Sequence, residues 1–191
     1  MTARLTLLSL LLLSAACQSE PQAAASTERL LMKPPEGWER VYQFNNDKTR
    51  LTEFVPPGET ADEWNIKLSV EAHADLTDND PLDLIMAEVE RLRESCRFIQ
   101  HYNLFSGLEN GYPTSVRLTV CGENRAIRMG EITLMKAIQA SDFIYLLRLN
   151  RRVPMFEETS PDVQQDEVGI WSNYLSRVSV CDSANPDHPC P

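Results

Sequence analysis

The sequence predicts a single α+β domain, in which two main helices pack on a mainly antiparallel sheet. One indication is a pair of strands within 130–154, the second of which is apolar on both faces over 143–149. Such a strand must be covered on both sides and therefore belongs in the middle of a sheet. Another indication is a repeated helix start, Asp80–Pro81 and Ser160–Pro161, which places a capping residue before a proline at the first helical position.

Three strands are predicted before the first helix. The 191 residues are enough for one domain with its own core, and the fractions of charged (24%) and hydrophobic (42%) residues are those of a globular chain. Short strands are expected at 41–44 and 50–55, joined by the turn residues 45–48. The segment 65–72 alternates strictly between apolar and polar residues, which indicates a strand with one buried face.

Each helix start is followed by an apolar stripe at helical spacing. The first stripe consists of Leu82, Ile85, Met86, Val89, Leu92 and Cys96, and the second of Val168, Trp171, Tyr174, Leu175 and Val178. Between the helices, strands are expected at 98–105 and 115–121, separated by a loop containing Gly107, Asn110, Gly111 and Pro113. A turn over 139–142 then joins the two strands of 130–154, and the proline-rich tail after the second helix is expected to be irregular.

The N-terminus has the pattern of a secretory signal. A basic Arg4 precedes the apolar run 5–13, and the small residues 14–16 precede Cys17. Small residues directly before a cysteine resemble the lipobox of bacterial lipoproteins, although Ser14 stands where that family prefers leucine. The resemblance implies acylation of Cys17 and removal of residues 1–16. The alternative is ordinary cleavage after Ala16, which leaves Cys17 as a free thiol.

The resemblance also implies a place for the mature protein. Gram-negative lipoproteins with aspartate after the acylated cysteine stay in the inner membrane, and residue 18 is Gln, which favours the periplasm-facing side of the outer membrane. Residues 17–33 are predicted to be a flexible tether, from which 30–32 could dock on the domain, and residues 34–191 are predicted to form the domain.

The charge balance limits the choice of partners. The chain carries a formal net charge of −10, which becomes −11 if Arg4 is removed with the signal. Such a balance argues against nucleic acid and against an anionic bilayer surface as the main partner. No apolar run after the N-terminus approaches the roughly 20 residues of a membrane span. We therefore expect the protein to reach the membrane through lipid and to bind an envelope protein through its domain.

The remaining cysteines are even in number, as expected in an oxidising compartment. They are Cys96, Cys121, Cys181 and Cys190, and they allow three pairings. Proximity favours Cys181–Cys190, which would pin the tail, and leaves Cys96–Cys121. Alternation along 115–121 places Cys121 on the face opposite Val120, unless the strand ends there, and this parity argues mildly against the second pair.

No pattern in the sequence indicates catalysis, a cofactor or a metal. The histidines, His73, His101 and His188, stand in no metal-ligand spacing, and no nucleophile-elbow, phosphate-loop or dinucleotide-binding motif is present. The acidic residues between 75 and 83 could suggest calcium, but a calcium loop needs a glycine and a closing glutamate that are missing here. Helix capping explains them instead.

Two groups of residues are candidates for binding. Arg148, Arg151 and Arg152 form the one basic cluster and could hold a carboxylate or phosphate, unless Glu157 and Glu158 neutralise them. Trp64 and Tyr112 could edge a cleft together with Glu59, but Trp64 is equally explained as the first core residue of its strand.

The sequence also resembles an uncharacterised family of proteobacterial envelope proteins. The matching residues are Glu53–Pro56, Gly58, Glu59, Trp64, Asn110–Pro113, Cys121, Gly130, Glu131, Lys136–Gln139 and Tyr145. The order of elements is similar to the PsbP-like fold, an antiparallel sheet with helices on both faces. Neither resemblance implies an activity.

Three hypotheses of function follow from the sequence. The favoured one is a non-enzymatic lipoprotein that binds or helps to assemble an envelope partner. The second is a domain that binds a small anionic ligand near the arginine cluster. The third is a hydrolase whose catalytic residues come together only in the fold.

Overall fold

The computed structural model describes residues 27–159 and 163–191. In chain order the elements are β1 (Glu28–Leu31), β2 (Glu39–Asn45), β3 (Thr49–Val55), β4 (Ile66–His73), α1 (Pro81–Ser95), β5 (Ile99–Glu109), β6 (Tyr112–Asn124), β7 (Met129–Gln139), β8 (Ile144–Val153), α2 (Gln165–Ser176) and β9 (Ser179–Asp182). The expected signal, Cys17 and the first part of the expected tether lie outside the described residues.

The main sheet has seven antiparallel strands in the order β2-β3-β4-β8-β7-β6-β5, and β1 pairs with β9 in a separate two-stranded sheet. β8 is the fourth of the seven strands, which confirms the central position predicted from its two-sided apolar sequence. Its residues 144–147 and 149 are buried, because side chains of both parities meet a covered face. The predicted α+β class, with two helices packed on an antiparallel sheet, is confirmed.

The first helix covers one face of the sheet. Asp80 caps α1 as predicted, since its carboxylate accepts a hydrogen bond from the Leu82 N–H at 2.7 Å. Ile85 and Val89 are fully buried against β7 and β8. We call this side of the sheet the α1 face; the sheet residues in that contact are Met135, Ala137 and Leu146.

The opposite side, the α2 face, is covered by α2 and by the pair β1–β9. Leu30, Met32 and Trp171 pack on its core. The ring centroids of Trp38 and Trp171 lie 5.6 Å apart in an edge-to-face arrangement. The chain entering the domain, the second helix and the chain leaving it therefore form one layer.

Two segments that were predicted to be irregular form strands. Residues 28–31, predicted to belong to the tether, form β1, because Leu30 reaches the core and the backbone pairs with β9. The predicted loop around Gly107 and Pro113 is a continuous hairpin with the two-residue turn Asn110–Gly111, at φ 49° and 81°. Positive φ at both positions is the requirement of the hairpin turns that suit Asn-Gly.

The second helix begins later than predicted. Its first residue is Gln165, and the predicted start, Ser160–Pro161, lies outside the described residues. The turn between β7 and β8 spans 140–143, one residue later than expected, closed by a hydrogen bond from the Ala140 N–H to the Phe143 carbonyl at 3.0 Å.

Both expected disulfides are present, Cys96–Cys121 and Cys181–Cys190. The first joins the C-terminal cap of α1 to β6 on the α1 face, so the parity that argued against this pair was misread: Cys121 belongs on the helix side. The second joins β9 to the tail, which is also held by hydrogen bonds from Asn110 Nδ2 to the carbonyls of Val180 and Pro189 at 2.9 and 3.1 Å.

Candidate functional site

The three arginines of the predicted basic cluster do not form one surface. Alternation along β8 places Arg148 and Arg152 on the α1 face with Leu146, and Arg151 on the α2 face with Leu149. A single anion cannot contact all three.

Arg148 is part of an ion-pair network on the α1 face. Its guanidinium donates to the carboxylate of Glu71 on β4 and to Glu88 Oε2 on α1 at 2.6 Å. Glu71 also lies 3.0 Å from His73 Nε2. Burial lowers the pKa of Arg148. The network fastens α1 to β4 and β8, which is a structural role.

Arg151 and Arg152 have separate partners. Arg151 pairs with Glu167 of α2 at 2.6 Å, and Arg152 donates to the Trp64 carbonyl at 3.1 Å. The Arg152 guanidinium also stacks over the Trp64 ring, with its carbon 3.8 Å from the ring centroid. Intramolecular neutralisation is therefore observed for Arg148 and Arg151, but the expected partners were wrong, because Glu157 pairs with Arg97.

The predicted cleft between Trp64 and Tyr112 does not form. Both side chains are buried, and they lie at opposite ends of the sheet, next to Arg152 and near Ile138 respectively. Trp64 is a core residue beneath Arg152. Tyr112 stacks on His188 of the tail, with ring centroids 4.2 Å apart, and burial raises its pKa.

Lys136 is a buried charge that sequence reasoning did not single out. It stands on β7 between Leu134 and Ile138, on the α2 face, and its side chain is fully buried. Its ammonium group donates to the Leu175 and Val178 carbonyls at 3.0 and 2.7 Å and to the carboxylate of Glu109. A lysine inside an otherwise apolar alternation was the available signal. Its contacts tie the end of α2 to the sheet.

The histidines and carboxylates give no catalytic or metal arrangement in the described ranges. No group of three or more His, Cys, Asp or Glu side chains there is placed to hold a metal ion. His73 contacts Glu71 and lies 3.4 Å from the Thr49 hydroxyl, and His188 Nδ1 lies 2.9 Å from the Asn110 carbonyl.

A cleft of about 420 Å³ lies between β1 and the main sheet. Arg50, Ala72 and Tyr145 stand in one row across β3, β4 and β8, and the small alanine leaves the space between its larger neighbours. Two arginines and two glutamates line the cleft, so its charges balance and do not select an anion or a cation. The glutamate on β1, Glu28, accepts hydrogen bonds from the backbone N–H groups of residues 141 and 142.

The outer edge of β5 is an exposed, largely apolar surface of the domain. Within the described residues β5 pairs with β6 alone and ends the sheet. Between Ile99 and Leu108 it carries no Lys, Arg, Asp or Glu. Half of the large apolar side chains that are exposed in the described residues stand on this strand: Tyr102, Leu104, Phe105 and Leu108.

The β2 edge at the other end of the sheet is better protected. It has seven residues against eleven, it begins with the charged pair Glu39–Arg40, and its pairing is interrupted by an irregularity between Arg40 and Tyr42. Charged residues and bulges are the usual means of preventing a sheet edge from pairing with another chain. β5 has one irregularity, at Leu104, and its one charged residue, Glu109, is its last.

Comparisons with known proteins identify no family. No family model matches the sequence, and no curated protein matches it either. Among solved structures, the domain is similar to LpqN of Mycobacterium tuberculosis, described as involved in cell envelope biogenesis, with a TM-score of 0.40 and 10% identity over 83% of this chain and 86% of that chain. A similarity at this level supports no inference of function, and the PsbP-like topology and the envelope family expected from the sequence stay predictions.

None of the described helices is long and apolar enough to cross a membrane.

Proposed function

We propose that the protein is a lipid-anchored, non-enzymatic lipoprotein on the periplasmic side of the outer membrane, whose domain binds another envelope protein. Export to an oxidising compartment is supported by the two disulfides within the described domain, since such bonds are rare in the cytosol. Anchoring is supported by the small residues before Cys17. The proposal assigns no catalytic residue, cofactor or metal.

The anchor is tested by Cys17→Ser. Because the mature chain is strongly acidic, charge gives it no attraction to an anionic bilayer. The variant should lose incorporation of labelled palmitate and move from the membrane fraction to the soluble periplasm. Membrane association of Cys17→Ser that survives a high-salt wash would contradict lipid anchoring.

The observation that carries the binding role is the uncharged edge of β5. An exposed sheet edge offers unpaired N–H and C=O groups, and an extended segment of a partner can add to it as a further strand. Backbone hydrogen bonds would supply affinity, while Tyr102, Phe105 and Leu108 would supply apolar contacts on alternate faces of the strand. A soluble acidic domain has no structural need for such an edge, which is a hazard for aggregation.

The chemistry of the edge limits the partner. With no Lys, Arg, Asp or Glu between Ile99 and Leu108, this stretch of β5 offers no ion pair, and a charged side chain opposite it would lose water without gaining a counter-ion. We therefore propose that the partner segment is extended, apolar and uncharged.

The test is a lysine scan of the two edges. Tyr102→Lys and Leu108→Lys each place a charge on β5, at positions 46% and 68% exposed where the fold tolerates it. Tyr42→Lys on β2, at 44% exposure, is the matched control. Crosslinking in intact cells, followed by purification, should recover a partner with the unmodified protein and with Tyr42→Lys, and lose it with the β5 variants.

Two outcomes would contradict this surface. Equal recovery by all variants would remove β5 as the binding edge, and self-crosslinking alone would replace the envelope partner by a second copy of the chain.

A further inference from the structure

A separate groove lies on the outside of the α2 layer. It has a volume of about 630 Å³ and runs between β1 and the C-terminal end of α2. Its walls are mainly apolar and include Leu31, Met32, Tyr174 and Val178. We call it the β1 groove. Its volume falls within the roughly 300–1,000 Å³ of small-molecule sites in proteins.

The rim of the β1 groove carries two cations, and Pro191 also lines it. Lys33 and Arg177 line it and are exposed, and no Asp or Glu in the described part of the chain lies within ion-pair distance of either. The balanced cleft on the other side of β1 differs in this respect. The chain as a whole is acidic, with a net charge of −10, so the two cations beside this apolar channel are a local excess of positive charge. The combination is complementary to a molecule with an apolar chain and a negative head.

The wall at Tyr174 is fixed. Its hydroxyl donates to the Lys33 carbonyl at 2.8 Å, which joins α2 to the segment after β1. Burial raises the pKa of Tyr174 to about 12, so the hydroxyl keeps its proton at neutral pH. Trp171, one turn earlier, packs edge-to-face on Tyr174 with ring centroids 6.4 Å apart.

We propose that the β1 groove binds a single-chain anionic lipid, with the acyl chain along the apolar walls and the head group at Lys33 and Arg177. The lipid is expected to come from the membrane. The described chain begins at Thr27, ten residues after Cys17, and ten residues span at most about 36 Å. This choice of source rests on the proposed anchoring, whereas the binding chemistry does not.

The binding test uses the exported Cys17→Ser protein, so that no acyl chain of its own competes. Decanoate and dodecanoate are titrated below their micelle concentrations, with calorimetry as the measure and tryptophan fluorescence as a second signal, because Trp171 lies next to the groove wall. Each buried CH₂ should tighten binding about fourfold, which makes dodecanoate up to about fifteenfold tighter than decanoate. Equal affinity, or no binding of either, would overturn the proposal.

The head-group contact is tested by Lys33→Gln combined with Arg177→Gln. Both side chains are exposed, so these changes leave the core intact. They should weaken dodecanoate binding about tenfold or more and leave the affinity for uncharged dodecyl maltoside unchanged. Lys48→Gln combined with Arg93→Gln is the charge-matched control, because both side chains are exposed and neither lines the β1 groove.

The position of the acyl chain is tested by a change in the groove wall. Leu31→Glu, which puts a carboxylate in the channel, should abolish dodecanoate binding while the melting temperature stays within a few degrees. Unchanged binding in this variant would place the fatty acid elsewhere. Because the assay uses protein without an anchor, failure of the Cys17 fractionation experiment and failure of lipid binding are independent results.

Discussion

Lys136 allows a prediction whose size follows from the structure. Replacement by methionine keeps most of the side-chain volume but removes the ammonium group. In the native domain the ammonium group donates hydrogen bonds to the carbonyls of Leu175 and Val178, at the end of α2, and to the carboxylate of Glu109. Lys136→Met leaves all three acceptors without this donor.

The expected loss is large because Lys136 is fully buried. Removing one member of a buried ion pair costs about 3–5 kcal/mol when the other charge stays buried. Glu109 is about a quarter exposed and can regain water, so we expect the lower end, about 3 kcal/mol. For a chain of this size, that corresponds to a fall of roughly 6–12 °C in melting temperature.

The assay is urea unfolding at pH 7 with a double-mutant cycle. Glu109→Gln and the double variant are measured beside Lys136→Met. The coupling energy between Lys136 and Glu109 should be at least about 1 kcal/mol, as for other buried pairs. Lys48→Met is the control, because the pair Lys48–Asp75 is exposed and such pairs contribute about 0–1 kcal/mol.

The reasoning about Lys136 would be refuted by one simple result. If Lys136→Met unfolds at the same urea concentration as the unmodified protein, the buried ammonium makes no net contribution and the apolar replacement compensates for it. Hydrogen exchange adds a local measure, since the amides of 174–178 should exchange faster in the variant if the end of α2 is released.

Further predictions concern other parts of the fold. Loop length alone predicts that Cys96–Cys121 and Cys181–Cys190 contribute about 3 and about 2.5 kcal/mol to the free energy of unfolding. Because Cys96 is buried and Cys190 is partly exposed, Cys96→Ser should lower the melting temperature markedly and Cys190→Ser only slightly. A larger fall in Cys190→Ser would contradict this reasoning. Burial lowers the pKa of His73 below 6.5, so the contribution of this residue to the free energy of unfolding should be fully present above pH 6.5 and be lost as the pH falls through the lowered pKa. In urea unfolding, His73→Gln should reduce the loss of stability over this pH range. An unchanged pH dependence would show that His73 is not its cause. Gly122→Ala would place a methyl group that overlaps the Phe98 ring and lies 2.7 Å from the Phe156 carbonyl, so calorimetry should show a loss of about 1–3 kcal/mol. No loss would mean that the Phe98 ring and the 154–159 segment both move aside.

Local signals in the sequence were sufficient for the centre of the fold. The apolar residues on both faces of 143–149 identified the central strand, because such a strand must be shielded from water on both sides. Asp80–Pro81 identified the start of α1, because the Asp80 carboxylate accepts a hydrogen bond from the backbone two residues later. The Asn110–Gly111 turn had a local signal as well. It was read as part of a loop because Gly107 and Pro113 are poor strand formers, yet both have partners in the hairpin.

The candidate surfaces could not be predicted because they depend on contacts between distant segments. β1 is a strand only because β9, about 150 residues later, pairs with it, and the β1 groove exists only because α2 lies alongside. The arginines of β8 are a different case. Their alternation in the sequence already implied that Arg151 lies opposite Arg148 and Arg152, and three-dimensional information was unnecessary to exclude a common cluster.

The antiparallel pairing of β1 with β9 determines how the domain responds to tension from its N-terminus. A pull on the chain before Thr27, perpendicular to β1, first loads the hydrogen bonds that join Thr27 to Asp182 and Ser183. The bonds between β1 and β9 then open one pair at a time rather than together. β9 stays in place, since the disulfide Cys181–Cys190 and Asn110 hold it. Peeling residues 28–33 away would lengthen the connection by about 20 Å while the seven-stranded sheet stays intact. The same movement would remove one wall of the β1 groove, so a bound lipid would be released under tension.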